Sequence, residues 1–212
     1  MKKAVIFDFD GTILDTNGLI LNSWQHTFLH FEGEKRNETE IYKTFGETLE
    51  LSMKNLLPEV DTKKAIEKYR EYQISNSEKE IRLFNGIIEL IKELKSKGYK
   101  LSIVTSRLKN TTLKYLEHFD LFKYFDEIVT CDDTDVHKPE AEPAMIALRK
   151  MGVMNYETIM IGDTKFDIGC ANNAGIDSVL VGWGIAYNND EGREIYKPKY
   201  IINEPMELLG VI

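Results

Sequence analysis

The stretch Ala4-Val5-Ile6-Phe7-Asp8-Phe9-Asp10-Gly11-Thr12 most limits what this chain can become. Four apolar residues run directly into two carboxylates, a glycine and a hydroxyl. An unbroken apolar run of this length reads as a strand covered on both faces. Side chains alternate along a strand, so Asp8 and Asp10 share one side and Phe9 takes the other. Gly11 ends the run with backbone geometry that other residues resist. The strand therefore delivers two acids to its C-terminal tip, the edge at which open parallel sheets bind ligands. Two like charges so close need a proton or a cation between them. Three readings stay open: a solvated acidic turn, a Mg²⁺ site built on hard oxygen ligands, and a nucleophile paired with a proton carrier.

The rest of the chain bounds the answer. Its 212 residues suffice for one domain with a smaller insert. Apolar residues make up 42% and charged ones 29%, as in a soluble globular protein. A net charge of −8 argues against nucleic acid or an anionic membrane as partner. An anionic substrate would then need a local cation and a few basic residues. Cys131 and Cys170 are too few for a disulfide framework and read as buried thiols. The apolar run after Lys2 and Lys3 breaks at Asp8, too soon for a signal peptide, and no stretch reaches membrane-spanning length, so the cytoplasm is expected.

Helical patterns fill residues 16–80: Leu19 to Phe31, Glu38 to Phe45, Glu47 to Leu57, and one from Asp61 or Thr62. Asp15, Thr16 and Asn17 are possible caps for the first. No strand is expected there. From Leu83 onward helix and strand alternate, with strands at Lys100–Val104, Glu127–Thr130, Thr158–Ile161, Ser178–Val181 and Tyr200–Ile202. The expected fold is α/β, a Rossmann-like parallel sheet in three α/β/α layers, with an inserted α-helical cap. Residues 1–15 and 81–212 form the core and 16–80 the cap, with hinges near Leu14–Asn17 and Lys79–Phe84.

Three further places carry possible chemistry. Thr105-Ser106-Arg107 follows a strand and enters a helix, a setting that suits an anion, although a strand-end hydroxyl is also ordinary. Lys138 precedes Pro139, which restricts the backbone beside it, and a fixed lysine could neutralise a phosphate and two carboxylates; a lone lysine is more often solvated. His137, with no second ligand at metal spacing, reads as surface. Gly162-Asp163 ends another apolar strand and repeats the geometry of Asp8. Asp167 then stands where an acid either caps the next helix or serves the site.

Taken in order, these segments resemble the haloacid-dehalogenase-like superfamily, and the details Asp15-Thr16-Asn17, Lys138-Pro139-Glu140 and Asn173-Ala174-Gly175 resemble its phosphoglycolate phosphatase and pyrophosphatase branch. The resemblance implies that Asp8 is the nucleophile and forms an aspartyl-phosphate, with Asp10 as acid and base. Mg²⁺ would be held by Asp8, the Asp10 backbone carbonyl and Asp163, with Asp167 supporting. Thr105 and Lys138 would hold the phosphoryl oxygens, with Gly11, Thr12 and Ser106 beside them. From the cap, Gly46 and Thr48 are expected to reach the substrate. Arg107 is expected either to meet a second anionic group or to be an ordinary surface arginine. The implied activity is a Mg²⁺-dependent phosphatase for a small phosphorylated metabolite, acting as a monomer or weak homodimer. A sugar phosphomutase of the same superfamily and a phospho-acceptor signalling domain are the alternatives.

Overall fold

The computed structural model describes residues 1–186 and 195–212. Its strands and α-helices run β1 (Ala4–Phe7), β2 (Leu14–Asp15), α1 (Asn17–Glu32), α2 (Glu38–Tyr42), α3 (Leu49–Leu56), α4 (Thr62–Glu80), β3 (Arg82–Leu83), α5 (Ile87–Ser96), β4 (Lys100–Val104), α6 (Lys109–His118), β5 (Glu127–Val129), α7 (Glu142–Met151), β6 (Thr158–Gly162), α8 (Lys165–Asn173), β7 (Asp177–Val181) and β8 (Tyr200–Ile202). Six strands form one sheet in the order β5-β4-β1-β6-β7-β8. Every pairing within it is parallel. The expected α/β class and parallel sheet are therefore what the chain adopts.

The strand that opens the chain lies inside this sheet and is buried at every residue. Its alternation sorts side chains between two layers. Val5 and Phe7 pack with α5 residues such as Leu90 and Ile91 and with Leu116 of α6. Ala4 and Ile6 pack with Ala144 and Leu148 of α7 and Cys170 of α8. Emptying such a site is costly: truncating a buried Phe to Ala takes about 3–5 kcal/mol. From β1 the chain goes out to β4 and β5, then returns to β6 on β1's other side. That reversal opens a crevice beyond the carboxyl ends of the central strands, the usual ligand position in such sheets.

Helices α1 to α4 stand between β2 and β3 and bury a cluster of their own, with Trp24, Phe28, Ile41, Met53 and Tyr69. Trp24 stacks on Phe28 with ring centroids 5.4 Å apart. The Asp61 carboxylate caps α4 by accepting from the Lys64 N–H. Thr16 takes the cap position of α1 without a side-chain cap bond; the Asp15 carboxylate instead accepts from the Asn17 N–H. The two segments expected as hinges pair with each other. Leu14 pairs with Leu83 and Asp15 with Arg82 in an antiparallel ribbon. Two residues per strand leave no periodicity for a sequence to display.

Candidate active site

Three strand tips, one loop and the first turn of α8 supply the site. The Asp8 N–H donates to the Ile161 carbonyl at 2.9 Å, which extends the β1–β6 pairing one residue past the strand. Beyond it the chain turns sharply, with the Gly11 N–H donating to the Leu14 carbonyl at 2.8 Å. Gly11 has φ +79°, and a Cβ there would collide with the Asp163 carboxylate. Only glycine lets the turn pass so close to that acid.

Lys138 is the hub. Its Nζ donates to Asp8 Oδ1 at 2.7 Å and to Asp167 Oδ1 at 2.6 Å. All three side chains are almost wholly buried. Lysine is rarely buried without acidic partners, and here one cation is shared by two acids. Burial pulls the Lys138 ammonium down, but the charges of Asp167 and Asp8 outweigh it and hold the lysine protonated. Asp8 moves the opposite way. Burial, then repulsion from Asp167, push its carboxyl up to about 7, against the pull of Lys138. Asp167 fills both roles that its sequence position left open. One oxygen binds Lys138, and the other accepts from the Thr164 N–H and hydroxyl in a capping box at the start of α8.

Asp10 has a separate partner. The Arg107 guanidinium grips it with two bonds, Nε to Oδ2 at 2.8 Å and Nη2 to Oδ1 at 2.7 Å. This fork is the strong, directional form of the ion pair. Burial raises the Asp10 carboxyl, but Arg107's charge and hydrogen bonds outweigh burial and hold it below the ordinary carboxylate range. Arg107 is thus no ordinary surface arginine: its side chain is 8% exposed. The Thr105 hydroxyl, at the tip of β4, accepts from the Arg107 N–H at 3.1 Å.

Asp163 lacks any such support. It is buried, yet neither carboxylate oxygen has a hydrogen-bond partner among the described residues. Burial, then repulsion from Asp167 and Asp8, drive its carboxyl well above the ordinary range. Oxygens of Asp8, Asp163 and Asp167 lie within 4.8 Å of one another. Bare buried carboxylate oxygens beside two further acids fit a divalent cation with hard oxygen ligands. The Asp10 carboxylate is not one of this trio.

Above the strand tips lies a cavity of about 690 Å³, lined from both the core and the helical insert. Asp8, Asp10, Thr105, Ser106, Arg107 and Lys138 line it. Gly46 and Thr48 line it from the insert, and the Ser106 hydroxyl donates to the Gly46 carbonyl at 2.6 Å. Gly46 has φ +91°, and a Cβ there would lie 2.6 Å from Thr164 Oγ1. Gly11 and Thr12, expected beside the substrate, are not among the cavity's lining residues. Thr12 is fully buried and its carbonyl accepts from Trp183 Nε1. Half-buried His137, expected at the surface, lines the cavity.

Residues 5–181 match the family model described as haloacid dehalogenase-like hydrolase. The chain belongs to the haloacid dehalogenase-like hydrolases. It is 35% identical over 210 residues to Pyrophosphatase PpaX of Halalkalibacterium halodurans, covering 99% of this chain and 96% of that one. A solved haloacid dehalogenase-like hydrolase from Streptococcus pneumoniae superimposes with a TM-score of 0.84 at 29% identity, over 99% of this chain and 98% of that one. The β-phosphoglucomutase of Clostridium difficile shares the fold at a TM-score of 0.83, with 22% identity over 98% of this chain and 93% of that one. The likeness to the pyrophosphatase and phosphatase branch of this family therefore extends over essentially the whole chain, insert included.

Sequence reading did not find the hold of Arg107 on Asp10 or the wall residues of α4 and α6. A signal for the first existed: once β4 is known to neighbour β1, residues just past the two strands must meet. For the cavity wall no such signal existed: Tyr69 on α4 and Tyr115 on α6 both line the cavity.

Proposed function

We propose that this hydrolase is a Mg²⁺-dependent phosphatase that acts on a small phosphorylated metabolite through an aspartyl-phosphate at Asp8. The observation that carries the reading is the Asp8–Lys138–Asp167 hub beside the unpartnered carboxylate of Asp163. Phosphoryl transfer asks mainly for positioning and charge stabilisation around an in-line displacement. Asp8, Asp163 and Asp167, with the Asp10 backbone carbonyl, would hold Mg²⁺. When bound, the ion would offset the repulsion between an anionic nucleophile and an anionic phosphate.

The chain's own residues divide the remaining work. An Asp8 oxygen attacks phosphorus while the bond from phosphorus to the leaving oxygen breaks. Asp10 gives that oxygen its proton. In the second step Asp10 takes a proton from the water that attacks phosphorus, and the Asp8 carboxylate is released. Lys138 and Thr105 neutralise and orient the phosphoryl oxygens. Residues 16–80 act as the cap that excludes bulk water. Arg107 occupies both Asp10 oxygens, so its fork must loosen before either oxygen can carry a proton to the leaving group. A second anionic group on the substrate would draw the guanidinium away.

Acid-quenched reactions with ³²P-labelled acetyl phosphate test the reading. Label should enter the protein, map to the peptide carrying Asp8, require Mg²⁺, and vanish in Asp8→Asn. Mg²⁺-dependent phosphate release that persists in Asp8→Asn would overturn the mechanism.

A further inference from the structure

The strand tips account for the inner end of the cavity and leave its outer wall unexplained. A phosphoryl group fills a small part of about 690 Å³, a volume equal to roughly twenty waters at about 30 Å³ each. Cavities of about 300–1,000 Å³ take ligands with a substantial body. Away from Asp8 and Asp10 the wall turns apolar, with Ile20, Leu49, Ile66 and Ile74. Ile74 is 78% exposed, a large aliphatic side chain left in water at the edge of this cavity.

Two further cations line the cavity, Arg70 on α4 and Lys114 on α6. One comes from the helical insert and the other from the core. Neither has an acidic partner among the described residues. The other acids on the lining are already engaged: Glu47 accepts from the Ser52 hydroxyl at 2.8 Å, Glu50 pairs with Lys54 at 2.7 Å, and the Asp132 carboxylate accepts from the Lys109 N–H at 2.6 Å. Arg107 and Lys138, the cations deeper in, are committed to Asp10, Asp8 and Asp167. Arg70 lines the cavity together with Cys131, which belongs to the core. The Lys114 ammonium sits 5.8 Å from the ring centroid of Tyr115, itself a wall residue. In a chain of net charge −8, two uncompensated cations facing one cavity mark a place for negative charge.

We infer that Arg70 and Lys114 form a distal anion subsite, and that the preferred substrate is an organic phosphate monoester whose carbon body spans the apolar wall and carries a second anionic group. Inorganic pyrophosphate has no carbon body to lie on the apolar lining. The inference rests on the phosphatase reading of Asp8.

A matched pair of substrates isolates the distal charge. With the full-length chain and Mg²⁺, kcat/KM is measured for fructose 1,6-bisphosphate and fructose 6-phosphate, with pyrophosphate and p-nitrophenyl phosphate alongside. The bisphosphate should exceed the monophosphate at least tenfold and exceed pyrophosphate as well. That ratio should fall severalfold in Arg70→Gln or Lys114→Gln and approach one in the double variant, chiefly through KM. It should also shrink as salt rises. A ratio near one in the unaltered protein, a ratio that survives in the double variant, or pyrophosphate as the best substrate would overturn the subsite. If p-nitrophenyl phosphate is hydrolysed in those cases, the phosphatase reading still stands. Release of phosphate from none of the four compounds would overturn both.

Discussion

The two walls of the cavity handle charge in opposite ways. On the core wall the charges lie buried and matched: Lys138 joins Asp8 to Asp167, and Arg107 grips Asp10. Asp163 is the exception, with two bare oxygens. On the outer wall Arg70 and Lys114 are solvent-exposed and lack acidic partners among the described residues. Buried charge is tolerated only when paired or ligating, so the core wall is organised for one fixed reacting group. The outer wall can leave charge unmatched because water solvates it until a ligand arrives. On the proposed reading, chemistry and selection are kept on different elements.

Removing the hub of the core wall breaks this contrast hardest. Lys138→Met leaves Asp8 and Asp167 buried without a shared cation. We expect a loss of about 3–5 kcal/mol, read by chemical denaturation of the metal-free protein, and phosphate release below detection. A variant as stable as its parent would show that the matched core charges do not depend on Lys138.

Asp163→Asn probes the exception and has the opposite sign. It removes one of three buried acids that repel one another, so the metal-free protein should melt higher. At this chain length each kcal/mol is worth about 2–4 °C. The parent should also gain stability on adding Mg²⁺, about 2.7 kcal/mol at a hundred times Kd, and the variant should lose that gain. Parallel melting curves with and without Mg²⁺ check both halves; an unchanged Mg²⁺ response would remove Asp163 from the ligand set.

Gly46→Ala sharpens the contrast where the walls meet. Its Cβ would crowd Thr164 Oγ1 at 2.6 Å and must accept φ +91°. A non-glycine residue held in such a conformation costs about 1–3 kcal/mol. The strain falls on the contact between insert and core, so KM should rise severalfold and the melting temperature should fall by a few degrees, at about 2–4 °C per kcal/mol. Unaltered KM would show that Gly46 does not govern how the insert seats.

What the sequence disclosed follows from the range of each interaction. Strands β1, β4 and β6 were legible because each is an apolar run ending in Asp8, Thr105 or Gly162-Asp163, a purely local pattern. Lys138 stood out through its proline neighbour. Asp167 divided evenly between cap and site because it is both. The Arg107–Asp10 pair joins residues 97 apart in sequence, and no local pattern records it. The bareness of Asp163 is a property of its surroundings. The β2–β3 ribbon was missed because two residues are too few to alternate, and nothing local sets Arg70 and Lys114 apart from other helix charges.

The β2–β3 ribbon has a consequence for how such a chain can change over time. Pairing Leu14 with Leu83 and Asp15 with Arg82 brings the entry and exit of residues 16–80 side by side. A segment whose two ends meet can be exchanged for another of different length and content without altering the frame that receives it. The insert is in that sense a replaceable cassette. A lineage could inherit a new preference in one recombination event while Asp8, Lys138 and Asp163 stay where the sheet put them. The same junction marks where an engineer should cut.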